Sequence, residues 1–427
     1  MNFSKDVDRD AEALARPAPG FGVPFPAYNG RSNVNIVPTW LRNGDRARDA
    51  LPLAPPLVPE LDPWNGRPPD GPTIVLLVDG FGWQSFRRAA EASSEARVRT
   101  WAERARPITT VFPTTTVAGL VSLSTGVPPG RHGAAGYRLF LPGFGLVVDL
   151  LKMTPLGVNR PESLTGPAWQ PSIVSGAPTV FQRARTGSVV SREAFEGTAF
   201  TRTLYEGAEF TGYTTASEFV HLLATLLRRP RPPSLTYAYW DELDTVHHRQ
   251  GPLDDLYRFE LERLAHGLGY LAKRAGELAA RTTVLITGDH GQVPSSREHQ
   301  VHIEAIPEIV RELAHPMGGD RRGGYFAARP GRIEELGAAL RAHLPVGTAV
   351  LSMPDLIEAG LFGPAPWHPE LRTRLGDFLA LVPPPYGLVH QLPGSTPGKR
   401  HLEGSHGGLD AAELLVPLVA GRLSDFQ

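Results

Sequence analysis

The chain contains no cysteine. That excludes disulfides, thiolate metal sites and cysteine nucleophiles together. It also has no excess of charge: 43 Lys and Arg stand against 44 Asp and Glu, a net charge of −1. A nucleic-acid groove or a site for an anionic membrane surface needs a basic excess, so neither is expected. No apolar run approaches the roughly eighteen residues of a spanning helix, so no membrane span is expected. The opening residues, Met1-Asn-Phe-Ser-Lys-Asp-Val-Asp-Arg-Asp10, are charged where a secretory signal is apolar, and a cytoplasmic protein is expected from that.

The 427 residues suffice for one large domain with insertions, or for two domains. Residues 1–72 are rich in Pro, Arg and Asp and read as an N-terminal extension packed on the core of a catalytic domain over 73–427. From Thr73 apolar runs of strand length (Ile74–Val78, Leu235–Trp240, Thr283–Thr287) alternate with helical periodicity in Ser217–Leu227, Leu253–Leu278, Ala305–Leu313 and Ile333–Leu344. The alternation predicts an α/β fold with a mostly parallel central sheet and helices on both faces. Residues 139–212 and 318–404 weaken into Gly, Pro, Thr and Ser, and are expected to be cap insertions. Ala411–Val419 reads as helix-like.

The chemistry gathers where strands end. Thr73-Ile-Val-Leu-Leu-Val-Asp-Gly-Phe-Gly-Trp-Gln-Ser85 has the first two glycines of a dinucleotide loop, but Ser85 replaces the third and Asp79 would repel a phosphate unless a cation lay between. Asp79 therefore reads as a metal ligand or as a cap of the next helix. Leu285-Ile-Thr-Gly-Asp-His-Gly291 repeats the pattern with Asp289 and His290. Tyr237-Ala-Tyr-Trp-Asp-Glu-Leu-Asp-Thr-Val-His-His follows a strand with an acidic and His cluster, and Glu403-Gly-Ser-His-Gly-Gly408 puts a His in a glycine turn. Asp244 and His248 are one helical turn apart, on one face. Phe112-Pro-Thr-Thr-Thr116 opens a small-residue helix, whose threonines read either as N-caps or as a hydroxyl nucleophile at an anion-attracting helix end. Gly394-Ser-Thr-Pro-Gly-Lys-Arg400 resembles a phosphate loop but is one residue short and lacks the Ser or Thr that holds Mg²⁺.

Together these segments resemble the alkaline phosphatase superfamily, and within it the type I phosphodiesterase/nucleotide pyrophosphatase branch. The resemblance rests on Asp79-Gly80, on Phe112 to Thr116, on Tyr239, Asp244, His248, Gly251 and Pro252, on Gly288 to Gly291, and on His406-Gly407. It implies that Asp244, His248 and His406 hold one divalent ion, that Asp79, Asp289 and His290 hold a second with Thr116 alongside, and that Thr116 is the nucleophile. Zn²⁺ suits such a sulfur-free set, with Mn²⁺ as the alternative. The implied activity is hydrolysis of a small-molecule phosphoester through a phosphoryl-threonine. A phosphomonoesterase, a metal-dependent phosphomutase of the same superfamily and an inactive metal binder are the alternatives. The branch's Pro-x-x-His-Gly-Ile-x-x-Asn segment, whose Asn binds a phosphate oxygen, is met by Pro129-Gly-Arg-His-Gly-Ala-Ala-Gly-Tyr137, so Tyr137 is expected in that role. His247, Asp241 and Glu242 match no ligand position and are expected beside the site or on the surface.

Overall fold

A computed structural model describes residues 4–43, 53–166, 169–252, 255–392 and 402–427. Its centre is a seven-stranded sheet: β1 (Thr73–Val78), β2 (Arg106–Thr109), β3 (Gly187–Arg192), β4 (Glu209–Tyr213), β5 (Leu235–Trp240), β6 (Thr283–Thr287) and β7 (Leu415–Arg422), in the spatial order β2-β7-β6-β1-β5-β3-β4. The pairs β6-β1, β1-β5, β5-β3 and β3-β4 are parallel, and only β7 runs antiparallel to its neighbours. The predicted α/β class is what forms.

The runs that define β1, β5 and β6 are largely apolar and buried at every position because both sheet faces are covered. Alternate residues serve opposite cores. Val75, Leu77, Tyr237, Tyr239 and Leu285 join Ile36, Val37, Leu41 and the helix Thr116–Thr125 on one side. Ile74, Leu76, Val78, Ala238, Trp240, Val284 and Ile286 pack on the other against Phe86, Trp101, Phe219, Leu223, Leu261 and Leu268, from the helices Trp83–Ala92, Ala96–Arg104, Ala216–Leu227 and Asp255–Ala275. Each of these fully buried aliphatic side chains contributes roughly 1.5–3 kcal/mol.

Several elements differ from the sequence expectation. The range 139–212 divides: β3 and β4 lie in the central sheet, β4 at its edge and β3 beside it, and Ser188, Ser191, Glu209 and Thr211 deprive them of a continuous apolar signature. The Arg138–Leu141, Leu146–Asp149 and Thr154–Pro155 strands instead join Gly318–Gly319, Gly323–Phe326, Phe378–Leu381 and Ala349–Ser352 in a second, antiparallel sheet. Ala411–Val419 is helical only over Ala411–Leu414. Its remainder is β7, an apolar run enclosed between β2 and β6. Ala305–Leu313 forms two single turns, Ile303–Ala305 and Pro307–Val310, because Pro307 has no N–H to continue a helix and starts a new one. The phosphate-loop-like residues 394–400 and Leu253 lie outside the described residues. Among the described residues no helix is long and apolar enough to cross a membrane.

Segments preceding Thr73 reach deep into the molecule. Ser32, Asn33, Val34 and Asn35 are fully buried. The Asn33 amide donates to Thr110 Oγ1 at 3.1 Å and to the Gly288 carbonyl at 3.1 Å, so it ties the strand before the threonines to the turn before Asp289.

Candidate active site

The parallel strands deliver their carboxyl ends to one edge, and antiparallel β7 begins there. Asp79 follows β1, the Thr114–Thr116 row follows β2, Asp244 and His248 lie on the helix Glu242–Gln250 after β5, and Asp289 and His290 follow β6. His406 is on the turn before Ala411–Leu414 and β7. Ligands gather at this edge of open α/β sheets.

The glycines of the first stretch serve close packing. Gly80 has a φ of 72°, and a Cβ there would lie 2.9 Å from the Asp244 Cα. A side chain at Gly119 would meet the Asp289 Cβ at 2.8 Å, so glycine lets the Thr116–Thr125 helix press against that ligand turn.

The seven expected metal-site residues converge. His290 Nε2 lies 3.2 Å from Thr116 Oγ1, 3.4 Å from Asp79 Oδ1 and 3.6 Å from Asp289 Oδ2. His290 and His406 stack with centroids 3.8 Å apart, and the His248 ring is 5.2 Å from that of His406. His248 Nε2 is 3.3 Å from Asp244 Oδ2. The tightest ligand groups, each within 4.8 Å, are Asp79, Asp289 and His290, and Asp244, His290 and His406. His290 thus belongs to both, and His248, expected with Asp244 and His406, is in neither group but adjoins Asp244.

Each imidazole is oriented the same way. Nδ1 of His248 donates to the Gly404 carbonyl at 2.8 Å, that of His290 to Gly291 at 3.1 Å and that of His406 to Thr114 at 3.0 Å. Carbonyls only accept, so each Nδ1 carries the proton and each Nε2 presents its lone pair, as in metal-ligating histidines. The carboxylates complete the picture. Tyr239 donates to Asp79 Oδ2, and the Gly80 and His290 amides donate to Asp289 Oδ1 at 3.2 and 3.0 Å. Asp79 Oδ1 and Asp289 Oδ2 are buried with no hydrogen-bond partner. Burial, then the charges of Asp289 and Asp244, pushes the Asp79 carboxyl well above its usual range, and burial raises Asp289 and Asp244. Burial and the neighbouring imidazoles hold His406 well below its ordinary value. Repelling carboxylates, orphaned oxygens and neutral imidazoles are a donor set that fits divalent cations.

The three threonines have three environments. Thr114 is fully buried; its hydroxyl accepts from the Gly407 N–H and donates to the Gly408 carbonyl, both at 3.0 Å, bracing the His406 turn. Thr115, also buried, caps the helix by accepting from the Ala118 N–H at 3.3 Å. Thr116 alone is partly exposed, with its hydroxyl toward the ligand cluster. Sequence reasoning did not assign Thr114, Asn33, Gln292, which donates to Asp244 Oδ1 at 2.5 Å, or the Tyr239 hydroxyl to the site. Tyr239 and Thr114 lie within matched motifs and so had a local signal, whereas Asn33 and Gln292 had none.

A family model for type I phosphodiesterase / nucleotide pyrophosphatase matches residues 73–409. The chain belongs to this family. Within the family, human ectonucleotide pyrophosphatase/phosphodiesterase family member 5 is 19% identical over 320 residues, covering 74% of this chain, and this chain spans 62% of that relative. Murine ectonucleotide pyrophosphatase / phosphodiesterase 5 has the same fold, with a TM-score of 0.61 at 20% identity over 82% of this chain and 87% of the other. So does phosphonoacetate hydrolase from Sinorhizobium meliloti 1021, solved with phosphonoformate, with a TM-score of 0.58 at 20% identity over 83% and 90%.

Other expected residues of this family member fall around the site. Tyr137 is half-buried against the core, and among the described residues its side chain makes no hydrogen bond to Thr116 or to a ligand. Burial and the adjacent Asp149 push its hydroxyl well above its ordinary value, so it is a protonated donor at neutral pH. Asp241 and Glu242 pair with Arg192. His247 is fully buried and stacks on Tyr257 with centroids 4.4 Å apart, in the core rather than on the surface. Phe140 stacks on His315, Tyr213 on Trp240, and Phe144 and Trp169 line a separate cavity of about 540 Å³.

Proposed function

We propose that the chain is a metal-dependent phosphoester hydrolase of the phosphodiesterase/nucleotide pyrophosphatase kind, acting through a phosphoryl-Thr116 intermediate. The observation that carries this reading is the joint arrangement of three imidazoles with Nδ1 anchored to carbonyls, two orphaned buried carboxylate oxygens and one partly exposed hydroxyl 3.2 Å from His290. Asp244, His248 and His406 would hold one divalent ion and Asp79, Asp289 and His290 the other, with zinc the better match to this sulfur-free set and manganese the alternative. Bound there, the ions supply Lewis-acid polarisation of phosphoryl oxygens and acidify a neighbouring hydroxyl.

The chain's own groups do the rest. Thr116 Oγ1, at the first turn of its helix, attacks phosphorus in line while the helix end favours the anion. The Oγ1–P bond forms as the bond from phosphorus to the leaving alcohol breaks. Water then attacks from the vacated side and restores the Thr116 hydroxyl, so two inversions give net retention. Tyr239 holds Asp79 in place, Gln292 holds Asp244, and Tyr137 is assigned as the donor to a phosphoryl oxygen where the family has Asn. The test is turnover of nitrophenyl phosphate, bis-nitrophenyl phosphate and a nitrophenyl nucleotide ester by the zinc- and manganese-loaded protein. A preference for the two diesters is expected; a preference for the monoester would refute the phosphodiesterase assignment.

A further inference from the structure

Two arginines beside the ligand cluster keep buried N–H donors without a partner. Arg138 opens the second-sheet strand Arg138–Leu141 and pairs with Gly319, so the next residues on the facing chain, Asp320 and Arg321, lie near it. That turn packs on the metal-ligand turn. A Cβ at Gly407 would meet the Asp320 Cβ at 2.7 Å, and Asp320 Oδ2 is 4.0 Å from His406 Nδ1. The Asp320 Oδ1 accepts from the Arg321 backbone N–H at 2.6 Å, and Asp320 and Asp149, the residue opposite Arg138, act on the guanidiniums through their charge without a hydrogen bond to either.

Arg138 Nε and Arg321 Nη1 are both buried with no hydrogen-bond partner. Among the described residues neither guanidinium forms an ion pair. The Arg138 group lies 5.8 Å from the Tyr137 ring centroid. Elsewhere the chain pairs its buried arginines. Arg322 meets Glu413 at 3.3 and 3.4 Å, and Arg374 meets Glu370 at 2.8 Å and the Gly133 carbonyl at 3.1 Å. The pair by the site also works against itself. Burial lowers the Arg321 pKa, Asp320 counters that, and the charge of Arg138 lowers it further. Asp149 and Asp320 offset these charges but leave the buried Arg138 Nε and Arg321 Nη1 donors unpaired, which is costly in a desolvated place, and a guanidinium fork matches a carboxylate or phosphate.

We propose that Arg138 and Arg321 form a subsite for a second oxyanion of the substrate, a carboxylate or a phosphate carried beyond the phosphoryl group that is transferred. This rests on the reading of the adjacent ligand cluster as the phosphoryl site. It deepens that reading by giving the substrate class: phosphoesters whose remaining portion carries its own negative charge close to phosphorus.

Equilibrium binding to the zinc-loaded full chain tests this without turnover. Three ligands differ only in the far substituent: ethylphosphonate, 3-phosphonopropionate with a carboxylate, and ethane-1,2-diphosphonate with a phosphonate. By calorimetry at least one of the two ligands with a charged far group is expected to bind about 10- to 100-fold tighter than ethylphosphonate, the gain of one or two charge-assisted hydrogen bonds. Which one gains tells whether the natural group is a carboxylate or a phosphate. Arg138→Gln and Arg321→Gln, singly and together, should erase the gain while leaving the ethylphosphonate affinity and metal content unchanged. Equal binding of all three by the parent protein overturns the subsite, whether or not the variants fold, and so does a gain that survives the double replacement. Binding of ethylphosphonate without any gain sinks the subsite alone. No binding of any of the three sinks the phosphoryl site with it.

Discussion

Thr114, Thr115 and Thr116 are adjacent and chemically identical, yet their environments assign them different losses on replacement by Ala. Thr115→Ala removes one cap to the Ala118 N–H, a cost of about 1 kcal/mol in stability with turnover retained. Thr114→Ala is worse than a lost cap. It leaves the Gly407 N–H and the Gly408 carbonyl unpaired in a buried turn, at about 1–3 kcal/mol for each. Because that turn carries His406, metal affinity should fall by about 10- to 100-fold, the usual cost of losing an outer support. Thr116→Ala removes a partly exposed hydroxyl whose partner is His290 Nε2, so the fold and most metal binding should survive. Turnover should nevertheless fall by roughly three orders of magnitude or more, since no neighbouring group can form the covalent intermediate. Thr116→Ser keeps the hydroxyl and should keep measurable activity. The assay is turnover of bis-nitrophenyl phosphate by variants of matched metal content, alongside thermal melts and elemental analysis. The reasoning is refuted if metallated Thr116→Ala runs near the parental rate, or if Thr115→Ala is the variant that dies.

Metal content gives a second prediction: the intact chain should carry about two divalent ions, and His406→Ala should lose one selectively by elemental analysis. A single ion in both proteins would contradict the two-site assignment. The third concerns Asn33, whose replacement by Ala strands the Gly288 carbonyl and leaves the Thr110 hydroxyl only its bond to the Asp289 carbonyl, so the melt should drop by the equivalent of about 1–3 kcal/mol and turnover should slow. Unchanged melting and turnover would mean that residues before Thr73 do not support the site.

The sequence made the central sheet visible where burial was symmetrical. β1, β5 and β6 are largely apolar and buried at every position because helices and loops cover both faces, and each leads to an acidic residue within a turn. Once the sheet is parallel, those ends must share an edge, which is why Asp79, Asp244 and Asp289 could be grouped before any coordinates. β3 and the edge strand β4 gave no such signal, since Ser188, Ser191 and Arg192 interrupt the first and Glu209 and Thr211 the second. β7 was hidden by the short helix that precedes it. Asn33 had no signature either, because its role depends on two backbone segments more than seventy residues away that only tertiary packing brings together.

The same distinction separates the chemistry from the selectivity. Every expected ligand leaves an end of the central sheet, so its position follows from strand direction alone. Tyr137, Arg138, Asp320 and Arg321 instead belong to the second sheet and its turn, where position depends on register. The pairing Arg138↔Gly319 brings residues 137–138 alongside residues 320–321. Side chains alternate faces along a strand, so a slip of one residue would turn Arg138 to the opposite face and separate the two guanidiniums while leaving β1, β5 and β6 undisturbed. The two halves of the site are therefore physically separable. Substitutions in the second sheet should change which ester is preferred without unseating the metal ligands, whereas substitutions at the ends of β1, β5 or β6 should abolish turnover of every ester alike.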